Sequence, residues 1–535
     1  MLILDEFESK RLLNEWGLPV IEEVLLDRDA EALKAAAALT YPVALKVCSR
    51  DVPHKTERGG VKLGIADAAS LKAEVRAMRA RFAAVPHKLL VQRMAPDGLE
   101  LILGARRDPV FGPVVMAGMG GVFAEILRDT AIELAPLTPR QTLDMLGRLK
   151  GQALLQGYRG IGPVDLSIVA EAIVSLGRLM TGRPDIIEID VNPLIAYPRG
   201  ALAVDALIRF ADRKAPVKAR RPAARTVDPF FHPRSLALIG ASRSHGKGGN
   251  IILRNLMRAG FQGALYPINP SGHDILGMRS YQRVSEVPGP VDLAMIVIPK
   301  TAVAEALADC AAKGVPAVIL STGGYADIGE TGAREQAALM SLARKASIRV
   351  MGPNSIGTIH PRLGLATSIV GLEPIATGGV SLIGQSGVFS SGWGRWIADA
   401  KPFGISKVAC IGNKGDINES DLLEYLAQDR ETTVIGMYLE GVVEGARFIR
   451  AASKASRSKP VVVVKSGHTA AGAAAIASHT GSLAGSDAVF DAVCRRTGLV
   501  RVHDSEAFFD TLSAFESLPL PKSNRLGVLS ITGMG

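Results

Sequence analysis

A chain of 535 residues with 47% hydrophobic and 21% charged residues is balanced like a soluble globular protein, and at ~150 residues per domain it should fold as three or four domains. No apolar run approaches the ~18 residues that cross a bilayer, and the acidic start MLILDEFESK lacks the basic opening of a secretion signal, so a cytoplasmic protein without a membrane partner is expected. The net charge of +10 raises the question of nucleic acid, but much of it sits in the Pro/Ala/Arg-rich residues 212–229, DRKAPVKARRPAARTVDP, which read as an interdomain linker; with aromatics at 5% and no RNA-binding or recognition-helix pattern, no nucleic acid is expected, and the charge suits phosphate-bearing small molecules.

In chain order, LDEFESKRLLNEWGLPV is an amphipathic helix with Asp5 and Glu8 at capping-box spacing and Gly17 and Pro19 at its close. A strand, YPVALKV, a glycine-bearing hairpin, HKTERGGVKLGI, a long helix and the strands KLLVQRM, LELILGARRD and GPVVMAGMG follow. Strands paired with helices in this way give α+β lobes over residues 1–211. Beyond the linker, SLALIGAS, ALYPIN, LAMIVIP, AVILST and IRVMGP are short apolar runs separated by helical segments, and VSLIGQSG, KVACIGN, VIGMYLEG and VVVVKSG repeat the pattern. Both sets predict doubly wound parallel sheets, over 230–365 and 375–520, with ligands at the carboxyl ends of the strands. Residues 521–535 contain RLGVLSITGMG, read as the first strand and glycine turn of a further such domain that is cut short; the missing part is expected to be ~150 residues long.

Cys48, Cys310, Cys410 and Cys494 show neither metal-ligand spacing nor a disulfide framework, in keeping with a reducing compartment. Lys46, at the end of a strand, is either a surface cation or a point charge for nucleotide phosphates, and His54 lies on the glycine-flanked loop that follows. The stretch DIIEIDVNPLIAYPRGALAVDALI places Asn192 and Asp205 on two strands joined by a turn, where oxygen ligands can converge on Mg²⁺. Glu100 and Glu125 add further oxygens. Lys465 to Gly485, KSGHTAAGAAAIASHTGSLAG, holds two histidines among small residues that let backbone amides approach an anion closely.

Several of these phrases together carry a resemblance. ESKRLLNEWGLPV, ALKVCSRDVPHKTERGGVKLG, GMGGVFAEILRD and IEIDVNPL resemble the ATP-grasp module of the NDP-forming acyl-CoA synthetases, the superfamily that includes succinyl-CoA synthetase. The resemblance implies ATP binding by Lys46, Gln92, Met94 and Glu100, Mg²⁺ at Asn192 and Asp205, and phosphate relay by His54; Arg93 stands where an acidic residue is common. SLALIGASRSHGKGGNIILRNL resembles the family's CoA-binding domain, which assigns coenzyme A to Gly240, Ala241, Ser242, Arg243, Lys247, Asn269 and Pro270. Ser271 replaces the family's usual lysine, so a phosphate contact is either lost or supplied by Lys247 or Arg243. LIGQSGVFSSGWGRW is similar to the turn that receives a phosphorylated histidine, with amides from Ser386, Gly387 and Val388; the motif match makes His479 the nucleophile and Glu440 the carboxylate that orients it, while His245, His273 and His468 have no matching role. Phe389, Trp393 and Trp396 either border an acyl site or pack as an ordinary helix.

What the family implies is ATP-dependent, ADP-forming ligation of a small carboxylic acid to CoA through acyl-phosphate and phosphohistidine intermediates, on an ATP-grasp domain followed by Rossmann-like and flavodoxin-like domains. The rival reading is a catalytically weakened nucleotide- or CoA-sensing module. A homodimer is left open.

Overall fold

The computed structural model describes residues 2–535 apart from 53–54, 122–128, 159–161, 212–225, 468–485, 524, 526 and 528–535, and residues 388–391 by their backbone alone. The chain divides into two compact units, residues 1–220 and 221–535.

In the first unit, the helix Glu6–Glu15 opens on the expected capping box: Asp5 accepts from the Glu8 amide at 2.8 Å and Glu8 from the Asp5 amide at 3.1 Å, which satisfies two of the donors that a helix start leaves orphaned. A small antiparallel sheet orders the strands Glu23–Leu26, Lys88–Arg93, Val43–Cys48 and Val61–Ile65. Its Leu26, Val43, Leu45, Val47 and Val91 pack under the helices Ala32–Leu39 and Ala68–Arg81. Side chains alternate across a strand, so Lys46 and Gln92 face the other way.

The larger sheet of this unit runs Leu2–Ile3, Ala206–Phe210, Ile186–Tyr197, Leu99–Asp108, Gly112–Met119 and Thr130–Leu134, with Gly200–Ala203 hairpinned onto Ile186–Tyr197. Its pairings are antiparallel, and Leu101, Leu103, Ile189 and Val191 bury against the helix Leu166–Gly182 through Val169, Ile173 and Leu176.

The second unit holds two further sheets. The first is wholly parallel, in the order Ala264–Ile268, Ser235–Ile239, Leu293–Ile296, Ala317–Leu320, Arg349–Met351. The second repeats this 2-1-3-4-5 winding with Ile405–Cys410, Thr377–Gly384, Val434–Leu439, Val461–Lys465 and Val500–Val502. Strands buried on both faces read as continuous apolar runs, which is how VVVV at 461–464 earned its reading. Beside Ile405–Cys410 lies an antiparallel hairpin, Gly357–His360 and Leu365–Ala366, so the second sheet draws on residues upstream of 375. Among the described residues no helix is long and apolar enough to cross a membrane.

Candidate functional site

Between the two sheets of the first unit lies a buried ionic cluster. Lys46, 3% exposed, extends to Glu6 at 2.8 Å and to the Val204 carbonyl at 3.0 Å. Gln92 donates to the same carbonyl at 3.0 Å and to Glu23 at 3.3 Å. Lys10 reaches Glu6 at 2.7 Å and also pairs with Glu23, and Lys55 joins Glu6 to Asp205, the latter at 2.8 Å. Lysines 10, 46 and 55 thus face carboxylates 6, 23 and 205. Burial disfavours the charge on Glu6, yet Lys46, Lys10 and Lys55 together hold its carboxyl far below the ordinary range. Burial likewise opposes the charge on Lys55, but Glu6 and Asp205 raise its affinity for the proton.

The structure brings Lys46, Gln92 and Asp205 into one neighbourhood, and Asn192 borders it through its amide, which donates to the Asp205 carbonyl at 3.2 Å. Glu188, Asp190 and Asn192 are exposed while Ile189 and Val191 are buried, so the three polar residues line one face of their strand. Asp190 was missed by the sequence reading, although alternation in IEIDVN could have found it. Its carboxyl is lifted above the usual range by the protein packed around it, then by Glu188 and Asp205. Carboxylates on neighbouring strands, with the Asn192 side chain on the same strand face, are the hard donor types that Mg²⁺ takes, and at Asp205 a cation would have to share the carboxylate with Lys55, which lies 2.8 Å away. Met94 accepts from the Gly64 amide at 3.5 Å, and Glu100 lies beside Gly120, whose amide donates to the Glu100 carbonyl at 2.8 Å. Neither has a described contact with the ionic cluster. His54 and Glu125 lie outside the described residues.

In the second unit, the strand Ser235–Ile239 ends at Gly240, where φ is +96° and an added Cβ would sit 2.3 Å from the Val297 carbonyl. Only glycine fits there. Residues 240–247 then lead into the helix Gly248–Ala259, and a Cβ at Gly249 would meet the Gly240 carbonyl at 2.0 Å. Asn250 donates to the Ser242 carbonyl at 2.8 Å, and Asn269, beside Pro270, donates to the Ala241 carbonyl at 2.7 Å. These bonds bring the loop, the helix start and Asn269 together at the carboxyl end of the sheet. Arg243, Lys247 and Pro270 are exposed there, and a helix start with nearby cations favours phosphate.

The other sheet makes a tighter turn. Thr377–Gly384 is followed by Gln385 and Ser386 and at once by the helix Gly387–Ala400, in which Val388 is the second residue. A Cβ on Gly387 would approach Ile356 to 2.6 Å. On the neighbouring strand, Val434–Leu439, the next residue is Glu440, 5% exposed. Its amide donates to Gln385 Oε1 at 2.9 Å, so the turn and Glu440 meet where the strand order reverses, the usual ligand position in such sheets. His479 and His468 lie outside the described residues. Trp393 packs on Phe509, with ring centroids 4.4 Å apart, and on Phe508 at 5.5 Å, which supports the helix-packing role; Trp396 is exposed but its ring packs at a tilt on Phe509, with centroids 4.5 Å apart.

Away from these strand ends, His232, His360 and Glu431 form a group of metal-ligand types. Glu431 already takes Lys407 at 2.7 Å, Arg362 at 3.1 Å and His360 at 3.0 Å. Both carboxylate oxygens of Glu431 are therefore already engaged by side chains from the strands Gly357–His360 and Ile405–Cys410 and from Arg362.

Comparison with known proteins finds three matching families along the chain. Residues 2–210 match an ATP-grasp domain, 234–361 a CoA binding domain and 377–515 a succinyl-CoA ligase like flavodoxin domain. An ADP-forming acetate–CoA ligase (form II) of Archaeoglobus fulgidus is 37% identical over 537 residues, covering 100% of this chain and 78% of the relative. The alpha subunit of ADP-forming acetate–CoA ligase I of Pyrococcus furiosus is 37% identical over 58% of this chain and 67% of its own. Among solved structures, the dinucleotide-forming acetyl-coenzyme A synthetase 1 of Ca. Korarchaeum cryptofilum, in complex with phosphate and ADP, aligns with a TM-score of 0.54 and 35% identity; the match covers 56% of this chain and 64% of that one, less than two thirds of its length.

Proposed function

The chain belongs to the ADP-forming acyl-CoA synthetases, and from that premise we propose that it uses ATP to ligate a small carboxylic acid to CoA, with His479 as the carrier of phosphate. The observation that carries this reading is the junction of the 385–387 turn with Glu440 at the reversal point of the second parallel sheet. A helix start there supplies amides and a positive end to a phosphoryl group, and a carboxylate on the neighbouring strand can hold the far nitrogen of an imidazole.

The chemistry divides into three transfers. A neutral His479 nitrogen attacks the γ-phosphorus of ATP; an N–P bond forms, the P–O bond to ADP breaks, and Glu440 keeps the proton on the other ring nitrogen. The phosphoryl group next passes to a carboxylate oxygen of the acid, freeing the imidazole and giving an acyl phosphate. The thiol of CoA, losing its proton, then attacks the acyl carbon and phosphate leaves. Lys46 and Gln92 bind the nucleotide, with Met94 and Glu100 at the edge of its site, and His54 relays phosphate between the nucleotide and His479.

Asn192 and Asp205, with Asp190 beside them, would hold Mg²⁺, which supplies charge neutralisation of the phosphates when bound. Gly240, Ala241, Ser242, Arg243, Lys247, Asn269 and Pro270 would hold CoA. The A. fulgidus relative is named for acetate, so acetate heads the acids to be tried, ahead of dicarboxylic and aromatic ones.

The test is acid-labile labelling by γ-labelled ATP together with thioester formation across those acids. Labelling at His479 and an acid-dependent thioester are expected; a chain that binds ATP and CoA yet forms neither would overturn the reading. His54→Ala should still make thioester from acyl phosphate and CoA while failing with ATP and acid, and equal loss in both assays would make His54 structural. Four reduced, buried cysteines accord with a cytoplasmic enzyme, to be checked by fractionation of the source cells. Homodimer formation would be checked by light scattering, against 56.4 kDa for each copy of these 535 residues.

A further inference from the structure

Lys414 combines three costs in one residue. Its φ is +55°, a left-handed conformation that non-glycine residues seldom adopt and that costs of order 1 kcal/mol or more. Its side chain is 5% exposed, and burying an ammonium costs several kcal/mol unless it is well paired. It also surrenders the rotamer freedom of a long chain. Residues so placed persist where the surroundings fix them, and they gather at functional sites.

The pairing of this ammonium is specific. Lys414 Nζ donates to the Gly441 carbonyl at 2.6 Å and to Gln385 Oε1 at 3.1 Å, and lies 3.2 Å from Glu419 Oε2. Gln385 Oε1 in turn accepts from the Glu440 amide at 2.9 Å and the Gly441 amide at 3.3 Å. Glu419, fully buried at the start of the helix Glu419–Leu426, accepts through Oε1 from the Val443 amide at 3.0 Å. One ammonium thus joins the turn before Gly387, the strand end that carries Glu440 and the start of a neighbouring helix. Its backbone is held as firmly: the Asn413 amide donates to the Pro353 carbonyl at 2.9 Å and the Gly415 amide to the Gly352 carbonyl at 2.8 Å.

We propose that Lys414 is a positioning residue for phosphoryl transfer, fixing through Gln385 the spacing between the amides at 386–388 and the carboxylate of Glu440. The proposal rests on the phosphohistidine reading above. A carboxylate that orients an imidazole and a helix start that receives its phosphate must keep a fixed separation, because a misplacement of ~1 Å can cost ~100-fold in rate. A neutral side chain at 414 would leave Gln385 Oε1 and the Gly441 carbonyl with less to hold them, and the turn free to drift from Glu440. Lys414 itself needs no contact with the phosphoryl group.

The experiment follows acid-labile phosphoenzyme formation in the full chain from γ-labelled ATP and, separately, from labelled acetyl phosphate. Unmodified protein, Lys414→Met, Gln385→Met, the double variant and His479→Ala are compared, with CoA affinity and thermal midpoint measured on each. Lys414→Met should lower the labelling rate from both donors about 30- to 100-fold while CoA affinity and the KM for ATP change less than about twofold. Gln385→Met should produce a similar loss, and the double variant should lose little more than either single one, since both act through one bond. Should Lys414→Met fold poorly, Gln385→Met decides the matter, because it leaves the ammonium in place. Unimpaired labelling in the variants that fold, additive losses, or a loss that tracks the thermal midpoint and falls equally on CoA binding would overturn the proposal. Absence of labelling in the unmodified protein would instead overturn the phosphohistidine reading, which keeps the two failures distinct.

Discussion

The two parallel sheets of the second unit share a winding order and place their loops at the same reversal point, yet they differ in how the first strand meets its helix. Residues 240–247 separate strand from helix in one, and only Gln385 and Ser386 do so in the other. A long loop spreads amides, Arg243 and Lys247 along a surface, as an extended ligand with several phosphates requires. A short turn aims the helix start at one point, as a single transferable phosphoryl group requires. On the function proposed above, connection length, more than fold, would separate a holding site from a transfer site.

Substitutions can break this contrast. The largest effect is expected for His479→Ala, with phosphoenzyme labelling falling to background while titration of CoA is unchanged; loss of CoA affinity in parallel would show that the two grips are not independent. Glu440→Gln should slow phosphoryl transfer about 100-fold in a rapid-quench assay, again without effect on CoA. Gly249→Ala drives a methyl group against the Gly240 carbonyl and should weaken CoA about 30-fold, the equivalent of ~2 kcal/mol, by calorimetry, with labelling from acetyl phosphate retained. The smallest change belongs to Arg243→Ala or Lys247→Ala. Both side chains are solvent-exposed, so a loss of about three- to tenfold in CoA affinity that shrinks as salt is raised is the expected outcome.

What could be read from the sequence were features set by neighbours in the chain. The Asp5–Glu8 box, the buried strand runs, Gly240 at its turn and the strand–turn–helix at 384–387 all follow from local pattern, and the structure keeps them. The ionic cluster did not emerge from the sequence, because Glu6, Lys10, Lys55 and Asp205 meet only when a helix, a loop and two sheets come together. Lys46 reads more readily as a surface cation than as a phosphate ligand until its burial against Glu6 is known. Lys414 was invisible for a different reason: a left-handed backbone announces itself in sequence when glycine occupies it, and here lysine does. Asp190 was within reach, since strand alternation alone puts it beside Asn192.

The hairpin Gly357–His360 and Leu365–Ala366 leaves the first parallel sheet's chain segment and closes the side of the second, pairing Gly357 with Cys410 and Ile359 with Val408. Modules that look interchangeable along the chain are therefore sewn together by a borrowed seam. A gene fragment beginning near residue 375 would encode the second sheet with the row of amides and carbonyls on Ile405–Cys410 uncovered, an invitation to pair with another copy. Separate expression of the second module is therefore expected to need a cut upstream of Gly357, so that the seam travels with the sheet it covers.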